Sequence, residues 1–184
     1  MISKGDFAQL KKELQLSPAQ KRFLFFVLLG IIGWIIILQL DFVQKYFTYL
    51  VTKGAAISIG LFTGKTPLIV DLSHQLNFRL IDDRGHILIG DACNGFDLYY
   101  VFVLFILAFP TTRVKLKWVY SLLGVFIMFI ANVIRVDALF FIAKSHPDWF
   151  ELVHKVIFQV AVYIIMFLLW AVYLRMISNT SREK

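Results

Sequence analysis

The chain holds one cysteine, Cys93, in the short polar patch Asp91 to Asp97 of "GDACNGFD", just ahead of an apolar run that ends at Pro110. A lone thiol is either inert packing or chemistry. Two other residues decide between these readings. Arg135 stands in "ANVIRVDALFF" at the end of one apolar run, and His154 in "ELVHKVIF" at the start of another. A thiol is a strong nucleophile only as its thiolate, which a nearby cation favours. A histidine can take the thiol proton and later return it to a leaving amine. An arginine keeps its charge, and its donors suit the oxyanion of a tetrahedral intermediate. The three types together suit acyl transfer through cysteine. Taken singly, each has a plainer reading: packing for Cys93, snorkelling to headgroups for Arg135, a solvated helix start for His154.

Supporting candidates lie beside the three. Asn94 follows the cysteine. Gly95 either admits a substrate backbone or relaxes a helix entry. Asp97 stands one helical turn from Cys93 and either orients His154, pairs with Arg135, or is solvated. Asn132 precedes Arg135 by one turn, within hydrogen-bonding reach of it. His146, in the turn "SHPDW", competes with His154, while His74 and His86 read as surface residues.

The elements that must position these residues are membrane helices. The 184 residues are 59% hydrophobic and include 19 phenylalanines, and the mean hydropathy is +0.75. Soluble domains are about half apolar. About 20 apolar residues at ~1.5 Å each cross a ~30 Å hydrocarbon core. The expected fold class is therefore an all-α integral membrane protein. It has about four transmembrane helices, an interfacial helix and a small extracytoplasmic β-hairpin, in a single membrane domain over 1–184. Ser17 reads as an N-cap with Pro18 at the first helical position. The first span is expected over 23–40, too long for a cleaved signal peptide and without its small-residue cleavage site. Residues 43–63 read as an interfacial or tilted amphipathic helix. "LIVDLSHQLNFRLIDDRGHILIGD" reads as the hairpin turning at "DDRG". Such a sheet has open edges and must sit in water or against helices. Three more spans are expected, about 95–110, 117–135 and 152–174.

Charge sets the orientation. Segments 1–22, 111–117 and 175–184 hold 11 basic and 3 acidic residues, net +8; the rest hold 8 and 9, net −1. The net charge of +7 thus flanks apolar runs, which favours anionic lipid over nucleic acid as the partner. By the positive-inside rule, 1–22 and the 176–184 tail face the cytoplasm. Residues 41–92 and the 136–153 connection lie outside, and the catalytic helices occupy 93–175. Cys93, Arg135 and His154 then reach the same outer boundary on three different spans. The expected location is the cytoplasmic (inner) membrane, multi-pass, with the site facing outward.

The ordered set "ACNG" at 92–95, "NVIR" at 132–135 and the histidine opening the last span resembles the exosortase/archaeosortase family of membrane cysteine transpeptidases. That family has a cysteine followed by Ser or Asn and Gly, then Asn-x-x-Arg at a helix end, then a histidine. The resemblance covers roughly 45–175 and matches the short, single-domain forms, with fewer spans before the cysteine than many members have. It implies Cys93, Arg135 and His154 as catalytic residues. It implies secreted protein substrates that carry a C-terminal motif, transmembrane helix and basic tail, cleaved with transfer of the acyl group to an acceptor. The reduced front end leaves room for a small membrane partner.

No cofactor and no metal are expected, because the four histidines and one cysteine show no ligand spacing. Two rival readings remain. One is a non-catalytic membrane scaffold. The other is a small transporter subunit using Arg135, Asp97 and His154 along a path. The charge pattern makes a direct prediction: a membrane-impermeant maleimide added to intact cells should label Cys93. Labelling only after the inner membrane is permeabilised would reverse the orientation.

Overall fold

The computed structural model describes residues 17–72, 77–83, 85–90, 93–109 and 114–182. His74, Asp91, Ala92 and residues 1–16, 110–113 and 183–184, with the expectations placed on them, lie outside the described residues. The protein is mostly helical with a small sheet.

Helix α1 spans Pro18–Leu38. Ser17 Oγ accepts from the Gln20 amide at 3.3 Å, and Gln20 Oε1 accepts from the Ser17 amide at 2.7 Å. This capping box satisfies donors that a helix start leaves open. After a turn at Gln39, helix α2 runs over Asp41–Thr63. The sequence suggests an interfacial helix here, and the structure adds its buried stripe. Gln44, Thr48, Val51, Thr52, Ala55, Ala56 and Ile59 recur at helical spacing and are buried. Polar residues thus share the buried face with small apolar ones, which a surface helix has no reason to do.

The expected hairpin is instead a three-stranded antiparallel meander, in the order β1 Leu68–Leu72, β2 Asn77–Asp82 and β3 Gly85–Ile89. "DDRG" does join β2 to β3, with Asp82 opposite Gly85. The unexpected strand is "LIVDL", whose Ile69 and Asp71 stand opposite Leu80 and Phe78. An isolated two-stranded ribbon is marginal in water, and a third strand with an apolar face overcomes this. Leu80, Ile87 and Ile89 form that face, buried against Val51 and Ala55 of α2 and the residues around Phe140.

Helix α3 covers Phe96–Ala108. Helix α4 covers Val114–Ser145, 32 residues without interruption. It continues ten residues past Arg135, where the sequence suggests the span stops. Nothing breaks it before His146–Pro147, and Val136 and Phe140 are buried in the sheet-end core. A short helix α5, Pro147–Leu152, leads through a π-helical turn, Val153–Ile157, into helix α6, Phe158–Arg182. The last helix therefore runs on through most of what reads as a polar tail.

Three helical segments are long and apolar enough to cross a membrane: Gln20–Ile37, Val114–Ser145 and Pro147–Ser178. Helix α3 is apolar but shorter. Large residues such as Phe25, Leu28, Leu122 and Phe167 are exposed on these helices. That surface would be costly in water and is compatible with lipid. The helices meet in a second core around Phe102, Ile106, Met128 and Met166. Trp34 of α1 stacks on Phe96 of α3 at 6.0 Å, and Tyr100 donates to the Gly30 carbonyl at 2.5 Å.

Gly124 sets the closeness of α3 and α4. A Cβ there would fall 2.2 Å from the fully buried Phe102 ring. Gly124→Leu should therefore destabilise the protein by about 1–3 kcal/mol through overpacking, read as a lower midpoint of thermal unfolding in detergent. Leu122→Ala, at a side chain 70% exposed, should leave the midpoint nearly unchanged.

Candidate active site

Between β3 and α3 the chain must reverse within a few residues and still satisfy its polar backbone. The Cys93 amide donates to the Gly90 carbonyl at 2.9 Å. Asn94 Oδ1 accepts from the Phe96 amide at 2.8 Å, an Asx turn that opens α3. Gly95 caps the helix at φ +70°. A side chain is strained there, and a Cβ would also meet Tyr99 Oη at 3.0 Å and Asn132 Nδ2 at 3.3 Å. Of the two sequence readings for Gly95, helix entry is thus the one with visible geometry.

The turn places Cys93 Sγ 3.5 Å from His154 Nε2, within hydrogen-bond range for sulfur. The thiol is 8% exposed, at the edge of the sheet-end core. His154 lies in the π-helical turn, and its ring stacks on Phe150 with centroids 5.7 Å apart. A π turn widens the helix by one residue and so changes the direction of the side chains it carries. The aromatic stack and the turn together hold the imidazole toward the thiol.

Arg135 comes from α4. Its Nη1 lies 3.5 Å from Asn132 Oδ1, and Asn132 Nδ2 donates to the Cys93 carbonyl at 2.8 Å. Asn132, 1% exposed, therefore ties the Cys93 loop to the helix that bears the guanidinium. Arg135 Nε is buried with no hydrogen-bond partner among the described residues. Arg135, His154, Asn94, Gly95 and Asp97 line one cleft of about 300 Å³ between α3, α4 and α6.

The structure thus brings Cys93 and His154 into contact, joins Asn132 to both Cys93 and Arg135, and leaves Asp97 exposed at the cleft. His146 is exposed at the N-cap of α5, and His86 is exposed on β3. Sequence reasoning missed Gln44 and Thr48. Asn94 Nδ2 donates to Gln44 Oε1 at 2.9 Å and to Thr48 Oγ1 at 3.2 Å. Their signal was present as polar residues at i, i+4 and i+8 (Gln44, Thr48, Thr52) on the buried stripe of α2. Tyr99, buried under Gly95 beside Asn132, was also missed.

Chemically, the arrangement is a thiol beside an imidazole, with a guanidinium lining the same cleft as that imidazole. No family model, curated protein or solved structure significantly matches this chain.

The left-handed turn gives a test of the geometry. Gly95→Ala should cost about 1–2 kcal/mol from backbone strain alone and lower the thermal midpoint. It should also move Cys93 away from His154, seen as a changed rate of Cys93 alkylation in the still-folded protein. An unchanged midpoint and rate would show that the turn is not needed.

Proposed function

We propose that this chain is a membrane-embedded cysteine transpeptidase of the exosortase type. It would cleave secreted proteins at a C-terminal sorting signal and transfer the acyl group to an acceptor. The observation that carries this reading is the 3.5 Å contact between Cys93 Sγ and His154 Nε2 at one end of a group of apolar helices. The motifs "ACNG" and "NVIR", with His154, resemble that family in the same order.

In this reading the chain crosses the cytoplasmic membrane four times, through α1, α3, α4 and α6. Helix α3 is the shortest, but its side chains Phe96, Tyr99, Phe102 and Ile106 are buried among the others. Neighbouring helices then screen its ends from lipid. The charge distribution supports an extracytoplasmic position for the sheet and the cleft. A substrate helix diffusing in the bilayer presents its outer juxtamembrane peptide bond at the depth of the cleft.

The residues then have defined roles. His154 Nε2 accepts the Cys93 proton, and the sulfur attacks the scissile carbonyl carbon. The carbonyl π electrons move to oxygen, and Arg135 donates to that oxyanion. Collapse breaks the C–N bond, His154 protonates the leaving amine, and a thioester to Cys93 remains. The acceptor nucleophile gives its proton to His154 and attacks the thioester, and the Cys93 thiol is restored. With water as acceptor the same steps give hydrolysis.

The thioester is the test. Wild-type protein denatured during turnover, with acceptor limiting, should carry a substrate-sized adduct on Cys93 that hydroxylamine releases. Cys93→Ala should carry none while still binding the substrate helix. His154→Ala should carry little, and His146→Ala should match wild type. Arg135→Lys keeps the charge but loses the planar fork, and should lower turnover on the order of 10²–10³, as loss of one oxyanion donor does. Product formed by Cys93→Ala, or an adduct on another residue, would overturn the assignment. A scaffold would tolerate Cys93→Ser, and a transporter subunit would show flux that persists without the thiol.

A further inference from the structure

The nucleophile loop is held from a direction that the three catalytic candidates do not supply. Asn94, next to Cys93, is 1% exposed, and all its polar capacity faces inward. Its carbonyl oxygen accepts from the Phe96 amide, and its Nδ2 donates to Gln44 Oε1 at 2.9 Å and Thr48 Oγ1 at 3.2 Å. Thr48 Oγ1 gives its own proton to the Gln44 carbonyl at 2.8 Å, which leaves its lone pairs for Asn94. Gln44 is buried and Thr48 fully so. A buried amide is costly unless it is hydrogen-bonded. Its partners therefore fix its orientation, and through the Asx turn they fix the backbone at Cys93.

We infer that Gln44, on helix α2, is a positioning residue for Cys93. It acts through Asn94 and touches neither the cleft nor any reacting atom. Asn94 and Asn132 hold the loop from opposite sides: Asn94 ties it to α2, and Asn132 ties the Cys93 carbonyl to α4. Losing the Gln44 side chain weakens the α2 tie to the two longer bonds, at 3.2 and 3.4 Å, while leaving the thiol, the imidazole and the guanidinium chemically intact. The effect on turnover rests on the transpeptidase reading. The effect on the thiol's setting does not.

Thr52 provides the control. It is buried on the same stripe and donates to the Thr48 carbonyl at 2.7 Å. Thr52→Val thus removes a buried hydrogen bond of α2 without removing a partner of Asn94. The experiment measures the rate of Cys93 alkylation by iodoacetamide against pH in purified full-length protein, with the thermal midpoint recorded for each variant. Gln44→Leu removes the shortest of the Asn94 Nδ2 hydrogen bonds and leaves only the longer ones, to Thr48 Oγ1 at 3.2 Å and to the residue-44 carbonyl at 3.4 Å. It should change the alkylation rate about tenfold and displace its pH profile, whereas Thr52→Val should follow wild type. Gln44→Glu keeps an acceptor of the same reach and should restore most of the wild-type profile. Asn94→Ser cannot reach Gln44; it should reproduce the Gln44→Leu profile, and the double variant should add little to either. Asn94→Ser, compared with Thr52→Val, carries the test if Gln44→Leu does not fold.

With a substrate bearing the tripartite signal, Gln44→Leu should lower kcat on the order of 10- to 100-fold, the scale of a misplaced reacting group, with KM nearly constant. If Gln44→Leu and Asn94→Ser shift alkylation no more than Thr52→Val, the inference is wrong whatever the protein catalyses. If they shift it while no variant, nor wild type, forms an acyl adduct, Gln44 still positions Cys93 and the transpeptidase reading falls.

Discussion

A buried loop must find partners for its polar groups, because a buried amide left unpaired is costly. The turn that carries Cys93 meets this constraint with two asparagines. Asn94, within the turn, binds the start of α3 and two residues of α2. Asn132, from α4, binds the Cys93 carbonyl. Three helices are thereby referred to one short segment. The placement of the thiol follows from hydrogen bonds that are expensive to leave unmade rather than from packing alone.

The two ends of the molecule are built differently. Around Phe102, Ile106 and Met128 the helices pack apolar faces inward and leave large apolar side chains facing outward. At the other end, α2, the sheet and the last ten residues of α4 enclose a conventional core. Ion pairs stand on its surface, among them Lys45 with Asp71 at 3.0 Å and Lys144 with Asp82. Cys93 belongs to the edge of this second core. The cleft holding Arg135 and His154 lies where the helices enter it. The proposed reaction between a membrane-anchored chain and a polar nucleophile would need such a boundary, since the first would arrive through lipid and the second through water.

Much of this was legible in the chain. Apolar runs marked the helices because burial in lipid demands near-continuous hydrophobicity. Ser17–Pro18 marked a helix start because capping chemistry is local. "DDRG" marked a strand connection for the same reason. Cys93, Arg135 and His154 stood out because ionisable and nucleophilic groups are rare within apolar runs. Helix ends were less legible: α4 runs to Ser145 and the last helix to Arg182. Tertiary packing of Val136, Leu139 and Phe140 extends the first, an interaction that no window of sequence contains. That Leu68–Leu72 forms a third strand of its own, within the stretch read as a hairpin, was not legible because its stability comes from pairing with β2 across an interval of chain.

By itself, the sequence determined the composition of each segment, the periodicity of α2 and the supply of reactive groups. Those properties are local, and they follow from which side chains occur and at what spacing. The tertiary structure alone decided which groups meet. Cys93 and His154 are 61 residues apart in the chain, and Asn94 and Gln44 are 50 apart. The approach of the first pair depends on a π turn, a left-handed glycine and the crossing of helices, none of which has a spacing rule. Gln44 read as one polar residue on an amphipathic helix. It became part of the candidate site only when folding buried it against Asn94, because a buried amide must be paired and the pairing reaches the residue beside Cys93.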